Sequence, residues 1–158
     1  MLRCVGDAKG LVFLLHKTHN ETQCVFGAYT SEGIKLPNRP TGFNEYRCRQ
    51  FSLGGHFDEP TDIRVEEGWL FAWLFEAGPT WPANVQLDNG RLSLGYDASG
   101  KGPHEDLRSC RQYIPCADVP DGYRGERNQR GDAVFGGSEV FFAEDLEVLA
   151  IEHDGDIL

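Results

Sequence analysis

The sequence predicts a mostly β fold in a single domain, and three observations predict it. Apolar residues come in short runs bounded by turn formers. The chain carries nineteen Gly and eight Pro, a load that suits short strands joined by turns. Ala-rich and Leu/Glu/Lys-rich helical stretches are missing, and one Met is present. At 158 residues, 40% apolar, with ten Phe, three Trp and five Tyr, the chain has the size and material for one buried core.

Leu11 to Leu15 is an apolar run bounded by Gly10 and a polar stretch, and Cys24 to Thr30 is the next. The pair reads as a β-hairpin turning through Thr18, His19, Asn20 and Glu21, with Asn20 suited to the turn. Gly27, inside the second strand, costs stability unless something approaches the backbone there. Ser31 to Tyr46, rich in Gly and Pro, reads as a loop. Cys48 to Phe57 carries Phe51, Leu53 and Phe57 near alternate positions, a strand with a bulge or bend at Gly54-Gly55. Trp69 to Phe75 is apolar throughout, as in a strand buried on both faces or packed under a helix. Val85-Gln86-Leu87 and Leu92-Ser93-Leu94 flank an Asp88-Asn89-Gly90 turn, a second hairpin. Within the Gly/Pro/Arg/Asp-rich stretch Asp97 to Gly137, the spacing of Leu107, Cys110 and Ile114 predicts a short helix over Asp106 to Ile114. Val140 to Phe142 and Leu146 to Glu152 read as the last two strands.

A net charge of −10 argues against nucleic acid and anionic membrane as partners, since both demand a basic surface. No apolar run approaches the roughly 20 residues of a membrane span. The N-terminus shows no charged region followed by an apolar one. Five cysteines without a CxxC pair favour reduced thiols in the cytoplasm, where the sequon Asn20-Glu21-Thr22 has no meaning.

The chemistry-bearing residues point to binding rather than catalysis. HExxH, GxSxG, P-loop and GxGxxG motifs are absent, so the sequence names no catalytic residue, cofactor or metal set. His16 and His19 form an HxxH, but on a strand such residues face opposite sides. Cys110 and Cys116, flanked by Arg108 and Arg111, are the thiols that could carry redox chemistry. Arg108, Arg111, Arg124, Arg127 and Arg130 lie in the irregular stretch, whereas Glu139, Glu144, Asp145, Glu147, Glu152, Asp154 and Asp156 crowd the last twenty residues. Either these charges satisfy one another within the fold, or Arg124, Arg127, Arg130, Glu144 and Asp145 offer a surface to a charged partner. Glu147 shares a strand side with Leu149 and Ile151, so a partly buried carboxylate paired with one of the arginines is expected.

Three segments together resemble the TLDc domain. Gly10 to Leu15 followed by Val25-Phe26-Gly27-Ala28-Tyr29-Thr30-Ser31-Glu32 resembles its first strand, turn and second strand. Phe51-Ser52-Leu53 resembles its central strand, and Gly136 to Leu149 its closing pattern. Gly27, Tyr29 and Glu147 fall on family-motif positions, with structural roles first. The family begins with a helical segment and a further strand upstream, so the resemblance implies an N-terminally truncated or divergent version spanning 1–158. It implies a two-sheet antiparallel β-sandwich with a few short flanking helices. It also implies a protein-binding module without an agreed active site, associated with oxidative-stress resistance and the vacuolar proton-pumping ATPase. The competing readings are an enzyme with an unrecognised thiol- or carboxylate-based site, and a structural domain of a larger protein.

Overall fold

The computed structural model describes residues 8, 10–31, 45–63, 69–72 and 83–151. Strands β1 (Leu11–His19) and β2 (Thr22–Thr30) form the first hairpin. Its turn is Asn20 and Glu21, at φ 47° and 65°, the left-handed pair whose twist matches the flanking strands. Leu11, Phe13 and Leu15 alternate inward on β1 and are fully buried, facing Phe26 and Ala28 of β2. Gly27 answers to its strand position: a Cβ there would run into the Phe13 carbonyl oxygen of β1.

β3 (Glu45–Gly54) is shared between two sheets. Residues 48–54 pair with β2, while residues 45–47 pair with β5 (Trp69–Ala72). β4 (Thr61–Ile63) pairs with β3 on the β2 side. Val25 opposes Gly54 and Phe26 opposes Ser52, so Leu53 is the extra residue of a bulge, one residue before the predicted bend. Beyond β5, the chain runs through β6 (Val85–Leu87), β7 (Leu92–Leu94), β8 (Ser109–Gln112) and β9 (Val140–Phe142), each antiparallel to the one before. β10 (Asp145–Ala150) returns to pair with β1. The two antiparallel sheets, β10-β1-β2-β3-β4 and β3-β5-β6-β7-β8-β9, form a sandwich-like arrangement. They are linked at β3 and again at Ala143-Glu144, where the Ala143 N–H donates to the Arg108 carbonyl and the Glu144 N–H to that of His16.

One core fills the space between them. Among the described residues, Phe13, Phe26 and Phe135 are its largest fully buried apolar side chains, and each aromatic of this kind contributes about 1.5–3 kcal/mol. Phe26 meets Phe135 edge-on at 5.6 Å between centroids, a favoured aromatic geometry.

Several expectations are corrected. The helix predicted over Asp106 to Ile114 is instead strand β8, because Cys110, Gln112 and Ile114 alternate into the core, all 0% exposed. The polar Gln112 hid that period from a reading of apolar residues alone. The few short flanking helices expected are roughly matched: among the described residues there is one 3₁₀ turn, at Cys116–Asp118. On β3 the core side is Cys48, Gln50 and Ser52, while Phe51 is half-buried and Leu53 is exposed on the outer side. The predicted loop 31–46 ends earlier, since Glu45 and Tyr46 already belong to β3. The last strand stops at Ala150, and Glu152 lies outside the described residues, as do Asp154, Asp156 and the 73–75 end of the apolar run.

Candidate functional site

The stretch Tyr113 to Glu139 is largely irregular, yet its backbone is tied down on both sides. Ile114 and Ala133 exchange backbone hydrogen bonds at 2.9 Å, and the Phe135 N–H donates to Gln112 Oε1 at 2.6 Å. Asn128 closes a tight turn: its Oδ1 accepts from the Arg130 and Asp132 N–H groups, as short polar side chains do in turns.

On this frame sits a knot of Arg, Tyr and carboxylate. Glu139 accepts from Arg111 Nη2 at 2.6 Å, Arg130 Nη2 at 3.1 Å and Asn128 Nδ2 at 3.2 Å. Asp132 accepts from Arg130 Nε at 2.9 Å and from the Cys116 N–H at 3.0 Å. The Arg111 and Arg130 guanidinium groups both lie over the Tyr113 ring, at 5.1 and 5.6 Å from its centroid, and Arg127 covers Tyr123 at 5.3 Å. Desolvation alone would raise both carboxyls. Hydrogen bonds and charge from the arginines, with Asn128, outweigh it and hold Asp132 and Glu139 below the ordinary carboxylate range.

Beside this knot a pocket of about 130 Å³ opens between the β1–β2 turn and the irregular stretch. His19, Asn20, Cys24, His56, Arg124, Glu126 and Phe135 are among its lining residues. His19 Nε2 stands 3.5 Å from Glu126 Oε1. His19 also lies against Gly137, at φ +86°, where a Cβ would strike its ring. His56 is 2% exposed and stacks on Phe135 at 4.4 Å. Its Nε2–H donates to the Phe135 carbonyl at 2.9 Å, which leaves Nδ1 to accept from Ser52 Oγ at 2.8 Å. Burial lowers the His56 pKa against the opposing pull of that carbonyl, so the ring is held neutral. A serine donating to an imidazole is the start of a nucleophile, but Ser52 is 1% exposed and does not line the pocket. The pair braces the fold.

The sequence-predicted residues are dispersed around this site. Arg124 binds Asp58 at 2.6 Å on the rim of the pocket. Arg127 donates to the Gly131 carbonyl at 2.7 Å, and Arg130 belongs to the knot. Glu144 is elsewhere, accepting from the Thr18 N–H and Oγ at the end of β1, and Asp145 opens β10 opposite His16. Arg108 grips Asp106 at 2.7 Å and covers the exposed Phe142 ring. Among the described residues, Glu139 is the acid after residue 138 that the arginine side chains pair with; most of their other bonds run to acids and carbonyls nearby in the chain.

Glu147 is not buried and, among the described residues, is not paired with arginine. Its side chain is 48% exposed and its Oε2 lies 3.2 Å from His16 Nε2. Leu149 and Ile151, its neighbours on that side, are 47% and 42% exposed, because the core side of β10 is Leu146 and Val148. The spacing argument for the histidines holds: His16 meets Glu147 and His19 meets Glu126. Tyr29 lies half-buried on the outer side of β2, between Val12 and Arg49. Cys110 is fully buried, its thiol pushed up to about 12 by burial first and by Asp106 second, whereas Cys116 is exposed.

A buried polar network was not foreseen. Gln50 Nε2 donates to Asp88 Oδ2 at 2.8 Å, and Gln112 Nε2 to Gln50 Oε1 at 3.3 Å. It ties both sheets to the irregular stretch through the Phe135 N–H. The available signal was Gln50 standing between Cys48 and Ser52, an inward polar set on one strand side. Among the described residues, no helix is long and apolar enough to cross a membrane. Comparison with protein-family models, with curated proteins and with solved structures gives no match.

Proposed function

We propose that this chain is a TLDc-like protein-binding module, acting in the cytoplasm in oxidative-stress resistance by docking on the vacuolar proton-pumping ATPase. The observation that carries the binding reading is the Arg-Tyr knot on Tyr113 to Glu139. Arg and Tyr dominate binding hot spots, since both offer large contact area and directed hydrogen bonds at low ordering cost. Here they stand on a backbone already fixed by Gln112, Asn128 and Ala133, so docking would not have to order the loop. Arg124 and Arg127 flank the knot and carry the charge a partner's acidic surface would meet. The family and pump assignments rest on the joint order of the three motif segments. The net charge of −10 supports a protein rather than nucleic acid as partner.

The enzyme reading has less to stand on. Cys110 is sealed, and the Glu147–His16 pair lies on an open sheet face rather than in the pocket.

Binding of the purified chain to purified peripheral subunits of the pump tests the proposal. Stoichiometric binding is expected, weakened at least about tenfold in an Arg124→Glu/Arg127→Glu variant of unchanged circular dichroism. Absence of binding removes the pump. Binding unaffected by the double variant removes the Arg-Tyr surface.

A further inference from the structure

The β1–β10 pair carries a second cluster that the proposed docking role leaves unused. His16 and Asp145 are direct cross-strand partners, and Glu147 lies two residues on, so all three side chains project from the same outer face. His16 Nε2 is 3.2 Å from Glu147 Oε2, and one donor atom from each of the three residues lies within 4.8 Å of the others. Two carboxylates thus stand side by side on one strand edge, with an imidazole nitrogen between the strands. Like charges this close raise the energy of the bare site, and a cation removes that cost. The nearby basic side chains are engaged elsewhere. Lys17 projects from the opposite face and donates to the Phe142 carbonyl at 3.0 Å, while Arg108, which acts electrostatically on Asp145, is held by Asp106.

We infer that His16, Asp145 and Glu147 form a surface site for a divalent first-row transition cation, with Zn²⁺ as the natural probe. One imidazole nitrogen and two carboxylate oxygens make a three-ligand set that leaves further positions to water. The nitrogen ligand favours Zn²⁺, Ni²⁺ or Co²⁺ over Ca²⁺ and Mg²⁺, which prefer all-oxygen shells. The ligands come from two hydrogen-bonded strands, so little backbone ordering accompanies binding. The ion would pin the closing strand β10 to β1 at the point where the chain passes from one sheet to the other.

The test is calorimetric titration of the chelator-stripped chain with ZnCl₂, in a Cys116→Ser background so that the exposed thiol cannot compete. One equivalent is expected, with affinity lowered at least about tenfold by either His16→Asn or Glu147→Gln. CaCl₂ and MgCl₂ at equal concentration should give no saturable heat. Because His16 is only half-buried and Asp145 and Glu147 are exposed, circular dichroism should show both variants folded. In histidine-ring ¹⁵N spectra, Zn²⁺ should move His16 and leave His19, His56 and His104 in place. No saturable Zn²⁺ binding in the micromolar range, or binding that survives both substitutions, overturns the assignment.

Discussion

Asp88 is the residue whose replacement tests the energetics of this core most directly. It opens the β6–β7 turn at φ 50°, is 0% exposed, and its Oδ2 accepts from Gln50. Among the described residues, its Oδ1 has no hydrogen-bond partner. Burial pushes the carboxyl pKa up; the Gln50 hydrogen bond and Arg91 oppose this, and Asp118 adds to it. A carboxyl raised in the folded state stabilises below its unfolded pKa of about 3.9, and that contribution is lost as pH rises through the folded value. At neutral pH the fold therefore carries a strained charge. Asp88→Asn keeps the shape, keeps an oxygen for Gln50 and suits a left-handed backbone, while removing the charge. An unsatisfied buried group costs about 1–3 kcal/mol, more when charged, so a gain of about that size is expected at pH 7.5. As pH falls through the raised folded value the native carboxyl takes up its proton, and the gain should shrink toward zero. Asp88→Ala also removes the charge but orphans the Gln50 amide, so it should fall below the Asn variant by about 1–3 kcal/mol at both pH values. Urea unfolding of the three proteins at pH 7.5 and pH 4 reads all of this as midpoint shifts at constant slope. An Asn variant that destabilises at pH 7.5, or gains equally at both pH values, would refute the reasoning.

Gly27→Ala should destabilise by about 3 kcal/mol or prevent folding, since the new methyl meets the Phe13 carbonyl within a paired ladder; thermal unfolding measures it. Thiol alkylation at pH 7.5 followed by peptide mapping should label Cys116 in the native protein. Cys48 and Cys110, both buried and pushed up to about 12, should label only on unfolding. Acid should loosen the Arg-Tyr knot before the core. Asp132 and Glu139 are held below their ordinary range, so their contribution is full above an unfolded pKa of about 4 and is lost as pH falls below it. Backbone amide exchange over 113–139 between pH 5 and pH 2 follows that loss.

What the sequence disclosed, and what it hid, divides along one physical line. The hairpins β1–β2 and β6–β7 were legible because alternating apolar residues met turn formers that accept left-handed backbone: Asn20 in one, Asp88-Asn89-Gly90 in the other. The Arg and acid composition was legible too, but not its pairing. Strand β8 was misread because the inward residue at its end is Gln112, and a search for apolar period cannot count a buried glutamine. The inward side of β3 was missed for the same reason. Its partners lie far along the chain: Gln50 binds Asp88, 38 residues on, and Gln112, 62 residues on. Glu147 failed differently. Its alternation with Leu149 and Ile151 was read correctly, but the assumption that this side faced the core was wrong.

These buried polar side chains explain how an irregular segment can offer a fixed surface. A loop without strand partners leaves its N–H and C=O groups to be satisfied elsewhere, and leaving them unpaired in the interior is costly. Here the core supplies the partners. Gln112 Oε1 takes the Phe135 N–H, His56 Nε2–H gives to the Phe135 carbonyl, and Asp132 takes the Cys116 N–H. Each bond needs a polar residue where a sandwich would otherwise place an aliphatic one. Gln50 and Ser52 are the inward residues that hold Gln112 and His56 in turn. The polar inner side of β3 is therefore the support of the Arg-Tyr knot. Replacing Gln50 or Ser52 by an aliphatic side chain would loosen the outer segment even where it improved the packing beneath it.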